Sequence, residues 1–341
     1  MKRDMRRLYD RSPKAFASVM NELMAAGEHW LKHLPPMETG AGTKPIEVDK
    51  NALALLLADY QWGSTGAVNY LNEAKRIINE GIRKSEMGQT SFRTTLGDWD
   101  KNGWNTRSSD WMAGHMTAFQ KATGDAFWSN ARKTVFDLVK AMGSAYSPNT
   151  GLMPDFVVEN PAKPAPPRFL EKETDGDYSW NACRFPLRMA VDFAHTGSPD
   201  SKAAVDKISK WMIGATGGNP ASIKAGYKLD GTALVTYANM AFTAPLIASA
   251  IADASNQAFL DKGWTYLTTI KQNEYYGDSI ALLTLLLLSG NWWAPDAAIP
   301  TSLAPGRSRP EMRKGPSPGF IREAGSAARK VDGRIIPSLS K

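Results

Sequence analysis

The strongest constraint on this chain is a rhythm. Apolar residues recur at helical spacing in run after run, and the links between the runs alternate between short and long. Helices are expected at about 14–33, 51–61, 66–85, 109–123, 125–146, 180–196, 199–215, 237–253, 256–271 and 278–289. The short links are Gly63-Ser-Thr-Gly66, Thr123-Gly-Asp125, Thr196-Gly-Ser-Pro199 and Ala252-Asp-Ala-Ser255. Each offers a Gly that stops one helix or a Ser, Thr or Asp that caps the next. The long links, 86–106, 147–179 and 218–236, are rich in Gly, Pro, Asn and aromatics. No convincing alternating strand appears. Such alternation is the mark of stacked helical hairpins. Where hairpins close into a ring, the long links gather on one face and form a groove.

Charge narrows the partners. The formal charge is +7, but residues 301–341 carry nine Lys/Arg against three Asp/Glu, and residues 1–50 carry nine against seven. Residues 51–300 therefore sum to −1, too little positive charge to attract phosphates, so no nucleic-acid partner is expected. The apolar run Ile280–Ser289 is too short to span a bilayer, and no apolar core follows the basic start, so neither a membrane segment nor an export signal is expected. Cys183 is the one cysteine and reads as a buried thiol. His29, His33, His115 and His195 form no ligand cluster, so no metal is expected.

Three regions follow: an atypical segment over 1–50 with one helix and a loop, a helical body over 51–296, and a Pro/Gly/Arg-rich tail over 297–341 that reads as disordered.

Four ordered motifs carry a more specific message. They are Leu57-Ala-Asp-Tyr-Gln-Trp-Gly-Ser64, Thr106-Arg-Ser-Ser-Asp-Trp-Met112, Tyr178-Ser-Trp-Asn-Ala-Cys-Arg-Phe-Pro-Leu-Arg188 and Tyr275-Tyr-Gly-Asp-Ser279. In this order and spacing they resemble glycoside hydrolase family 8, from about Asn51 to Asp296. The resemblance implies an all-α (α/α)6 toroid, here incomplete at its N-terminal end. It also implies an inverting endo-hydrolase of β-1,4-linked glucan or chitosan that needs no cofactor. The partner would be a β-1,4-linked poly- or oligosaccharide, and the chain is expected to be a monomer. Family members are commonly secreted; the sequence itself does not assign a compartment.

Glycoside hydrolysis takes two carboxyl groups, one to protonate the leaving oxygen and one to activate water. The link before the 180–196 helix holds Glu171, Glu173, Asp175 and Asp177. Read alone, these are a solvated acidic loop. One branch of the family has Asn where this chain has Asn181, and takes its base from a Glu in the preceding loop. That resemblance implies Glu171 as general base, with Tyr178, Trp180 and Arg184 shaping the groove floor. Asp110 is the second carboxylate candidate, either facing substrate or capping a helix. Sugar rings stack on aromatic faces. Trp99, Trp104 and Trp111 flank one long link, and Tyr237 and Tyr275 stand at helix starts, so all five are candidate contacts. Trp62, Trp128, Trp211 and Trp264 read as packing.

The family's proton donor lies in a Ser-Glu-Gly-x-Gly-Tyr-Gly-like segment. Only Ser85-Glu-Met-Gly88 comes near it here, on the wrong side of the Trp62 turn, and reads as a chance match. A groove Asp is also expected just before Leu55-Leu-Leu57, but Pro45-Ile-Glu-Val-Asp-Lys-Asn51 is out of register. The abrupt start of the resemblance fits a truncation, frameshift or replacement. An impaired relative that at most binds β-glycan is the alternative reading.

Overall fold

Helix ends in this chain are marked by Pro, Gly, Ser and Asn, and the computed structural model turns the backbone at those residues. It describes residues 45–270, 272–292 and 294–295, with backbone alone for 45–50. The expected helix at 14–33 and the expected tail at 297–341 lie outside the described residues. Helix α1 (Pro45–Trp62) pairs with α2 (Tyr70–Arg76), α3 (Ala113–Thr123) with α4 (Phe127–Ala145), α5 (Phe185–Thr196) with α6 (Pro199–Thr216), and α7 (Met240–Ala248) with α8 (Gln257–Thr269). Helix α9 (Tyr275–Leu288) follows. The first members, α1, α3, α5, α7 and α9, pack each on the next as an inner row.

Local chemistry sets the turns. Gly124 and Gly197 close α3 and α5 at φ +75° and +64°, the left-handed region that lacks a penalty only for Gly. Ser198 caps α6 and Pro199 opens it. Asn239 accepts from Ala241 N at 2.8 Å and starts α7. Every residue of α7 is buried, which accounts for its apolar character on all sides.

Two features escaped the periodicity. Helix α2 runs on through a π-helical stretch, Ile77–Ile82, whose wider turn puts Ile77, Ile78, Gly81 and Ile82 all inside. And strands do exist: β1 (Thr106–Arg107), β2 (Phe156–Val158) and β3 (Lys163–Pro164) make a small antiparallel sheet in the order β1-β2-β3. Strands of two or three residues are too short to show alternation, so the expectation of none is corrected. A satellite core of Leu96, Phe156, Val158 and Ala165, with Phe169 against it, lies apart from the main core.

The main core contains Trp111, Phe119, Trp128, Phe185 and Phe242. Trp128, expected to pack, is 1% exposed; Trp211 and Trp264 pack half-buried, and Trp62 is 40% exposed. At the end of the inner row, α9 leaves Leu282, Leu283 and Leu286 exposed among the described residues.

Candidate active site

Glu171 sits on a loop whose shape is dictated by another carboxylate. Asp175, buried, accepts the backbone N–H groups of Leu170 at 2.7 Å, Glu171 at 2.9 Å and Lys172 at 2.8 Å. Three amide donors around one side chain fix a turn that apolar packing alone would not. Behind it, Phe156 N donates to Asp175 O at 3.0 Å and ties the loop to the strand. Gly176 passes so close to the Ala165 carbonyl that a Cβ there would collide with it.

With its backbone held, Glu171 meets two donors. Arg107 Nη2 reaches Oε1 at 3.2 Å, and Asn181 Nδ2 reaches Oε2 at 3.0 Å. Arg107 is anchored in turn by Nη1 on the Leu96 carbonyl at 2.9 Å. Asn181 accepts Arg184 Nη2 at 3.0 Å on its own oxygen. The result is a continuous polar chain, Arg107–Glu171–Asn181–Arg184. Each carboxylate oxygen has a donor, which holds the group in one orientation. About a third of the Glu171 side chain stays open to solvent, which gives water access.

A second buried carboxylate, Asp155, organises the start of the helix that carries Asn181. Its Oδ1 accepts the N–H groups of Ser179 at 3.1 Å, Asn181 at 3.0 Å and Ala182 at 2.6 Å. Burial pushes its carboxyl up to about 7 against those three bonds. Sequence reasoning named neither Asp155 nor Arg107. Asp155 lies in an irregular link with no motif around it. Arg107 was visible only as the residue after Thr106 in a recognised stretch.

The structure places the remaining candidates as follows. Asp110 is 2% exposed, so it lies under the floor and does not face an open groove. Ser109 Oγ donates to it at 3.0 Å, and the following helix is capped at Met112, not by the Asp110 side chain. Burial raises its carboxyl, opposed by Arg184, Arg107 and Arg188. Trp111 is corrected to a core residue: it is 1% exposed, its Nε1 donates to Thr106 Oγ1 at 3.0 Å, and its ring meets Phe185 edge-on. Tyr178 is likewise fully buried, with Phe242 and Tyr227 against its ring, and offers no face to a ligand. Trp180 is half-buried, edge-on to Phe242, with Lys172 Nζ 5.8 Å from its ring centre. Trp99 is half exposed, its indole against Gly97; Trp104 is half-buried beside the Arg93 guanidinium. Tyr237 and Tyr275 are exposed, Tyr275 almost wholly. Of the other acids in the loop, Glu173 pairs with Arg168 at the surface. Cys183 is buried, and burial pushes its thiol up to about 12, which suits packing and not nucleophilic attack.

Glu86, first read as a chance match, is 3% exposed, and its Oε2 has no hydrogen-bond partner among the described residues. Burial raises its carboxyl to about 7; Asp98 and Asp110 face it as like charges, and Lys101 as the opposite one. A carboxyl raised from 4.5 keeps its proton in the folded state longer than in the unfolded state. Stability from this group is therefore full below pH ~4.5 and is lost as pH climbs toward ~7, by up to ~3 kcal/mol. Glu86→Gln is expected to flatten the melting temperature between pH 5 and 8. Melting curves of the two proteins that stay parallel across that window would sink the assignment.

Several known proteins resemble this chain in sequence and fold. A family model described as glycosyl hydrolases family 8 matches residues 47–290. An endoglucanase of Bacillus sp. (strain KSM-330) is 43% identical over 247 residues, which is 72% of this chain and 53% of that protein. The chain thus spans about half the length of that curated relative. The apo structure of a beta-1,3-1,4-glucanase from Paenibacillus sp. X4 superposes with a TM-score of 0.72 at 39% identity, covering 76% of this chain and 70% of that one. A family 8 xylanase from Teredinibacter turnerae superposes with a TM-score of 0.63 at 21% identity over 74% of this chain and 67% of its own, and shares the fold.

Proposed function

We propose that this chain, which belongs to the glycosyl hydrolases of family 8, acts on β-linked glucan, with Glu171 as the base that activates water. The observation that carries the reading is the carboxylate held on both oxygens by Arg107 and Asn181 yet open to solvent. In the inverting scheme, Glu171 takes a proton from water as the water oxygen bonds to the anomeric carbon. The glycosidic bond breaks on the opposite face, and its oxygen takes a proton from the donor. Trp180 offers part of a ring face to the sugar, and Asn181 and Arg184 line the polar edge. Neutral glucan fits better than chitosan. An ammonium-bearing sugar calls for surplus carboxylates; here Arg107 pairs with Glu171, Arg184 sits on Asn181 and Lys172 lies over Trp180.

A second reading has its own observation. Apart from Ser85-Glu-Met-Gly88, which lies on the wrong side of the Trp62 turn, these 341 residues hold nothing like the family's Ser-Glu-Gly donor segment. The polypeptide would then bind β-glycan and hydrolyse it slowly. Lichenan, carboxymethyl cellulose, xylan and chitosan distinguish the cases by reducing-sugar release, and NMR of the first product gives its anomeric form. Expected are measurable cleavage of lichenan above the others, slower than that of a relative carrying the donor segment, and an α-anomer as first product. A β-anomer would overturn the inverting scheme. Preference for chitosan would overturn the substrate, and turnover equal to that relative's would overturn the impaired reading.

A further inference from the structure

The groove around Glu171 does not use every sugar-like surface on the molecule. An open cleft of about 490 Å³ lies between the turn after α6 and the last turns of α8, and none of its lining residues belongs to the Glu171 chain. We propose that this cleft is a second carbohydrate site, which takes a short stretch of neutral β-glucan remote from the reacting centre. The proposal rests on the reading of the chain as a β-glucan enzyme.

Position supports it. The 3-10 turn Pro220–Ser222 stands in the long link from α6 to α7, and Thr265–Thr269 ends α8 just before the link to α9. Both walls therefore border links, that from α6 to α7 and that from α8 to α9. Tyr237 and Tyr275, both exposed, stand at the far ends of those two links. The volume falls in the range of about 300–1,000 Å³ usual for small-ligand sites.

Chemistry supports it too. Thr265 Oγ1 donates its proton to Asp261 O at 3.0 Å, and Thr269 Oγ1 donates to Thr265 O at 2.7 Å. Both hydroxyl oxygens keep lone pairs for sugar hydroxyls. The Asp261 carboxylate adds acceptors, with one oxygen taking Gln257 Nε2 at 3.0 Å. Asn219 uses its oxygen on Ala221 N at 3.1 Å, which leaves its amide protons to donate. Tyr266 packs against the core and supplies a rigid apolar wall. Asp261 and Lys262 cancel in charge, so the cleft favours a neutral polyol over an anion. Donors, acceptors and a ring edge around a shallow trough match the hydroxyl rim and C–H face of a pyranose.

Titration of the labelled protein with cellotetraose, followed by amide and indole shifts, tests it. Shifts are expected at the Asn219 side-chain amide and the 265–269 backbone, and separately at Trp180 and Asn181. Thr265→Arg, at an exposed position, fills the trough and should weaken the first set at least tenfold while sparing the second. Should that variant misfold, Asp261→Ala removes an acceptor at another exposed position and should weaken the first set several-fold. Shifts confined to Trp180 and Asn181, or a cleft set untouched by these variants, would overturn the proposal and leave the groove reading standing. Shifts at the cleft alone would uphold it and count against the groove. No shift at either set would overturn both.

Discussion

Glu171→Gln is expected to cut lichenan hydrolysis by about 10²–10⁴-fold, the usual contribution of a positioned acid or base. Gln keeps the length and shape of the side chain but takes no proton from water near neutral pH. Its amide nitrogen would face either Arg107 or Asn181, both donors, so one contact is lost at a cost of ~1 kcal/mol. Sugar binding should thus weaken several-fold at most, while the rate falls much further. That split between kcat and binding is what separates a base from a mere loop anchor. Arg107→Ala provides the contrast, because it removes the partner and keeps the carboxylate. It should slow turnover less than Glu171→Gln. Reducing-sugar kinetics on lichenan and cellotetraose binding for the three proteins check this. Unchanged turnover in Glu171→Gln would move the base to another carboxylate of the same loop, Asp177 first.

The helical body was legible because its signals are local. Gly197, Ser198 and Pro199 announce a stop, a cap and a start within three residues, and the helices fall there. Glu171 stands out as a candidate only through family resemblance, since a loop of four acids has no periodicity of its own. What escaped depends on contacts distant in sequence. Arg107 meets Glu171 across 64 residues, and Asp155 meets Asn181 across 26. No window of sequence contains either pair. Trp111 shows the same limit from the other side. Its place beside Trp99 and Trp104 suggested a sugar platform, but Thr106 gives its indole N–H a partner inside the core. An indole whose polar atom is satisfied indoors has no need of the surface.

The same distance dependence governs stability, and the buried ion pair between α4 and α5 makes the sharpest case. Arg132 Nη1 and Nη2 grip Asp192 Oδ1 and Oδ2 at 2.6 and 2.9 Å, and Ser201 Oγ of α6 donates to the same carboxylate. One side chain thus ties three helices. The Asp192 side chain has no exposure, whereas Arg132 keeps 21%. The two single deletions should therefore differ. Asp192→Ala strands a guanidinium that still reaches water, while Arg132→Ala strands a carboxylate that does not. Removing one member of a buried pair costs about 3–5 kcal/mol. Arg132→Ala should sit at the upper end of that range and Asp192→Ala at the lower. At ~2–4 °C per kcal/mol for a body of this size, melting should fall by roughly 6–20 °C. The double variant leaves no stranded charge, so it should lose less than the sum of the two. Thermal and urea denaturation of the three proteins measure this directly. Additive losses, or an Asp192→Ala loss exceeding that of Arg132→Ala, would show that burial of the carboxylate does not set the cost.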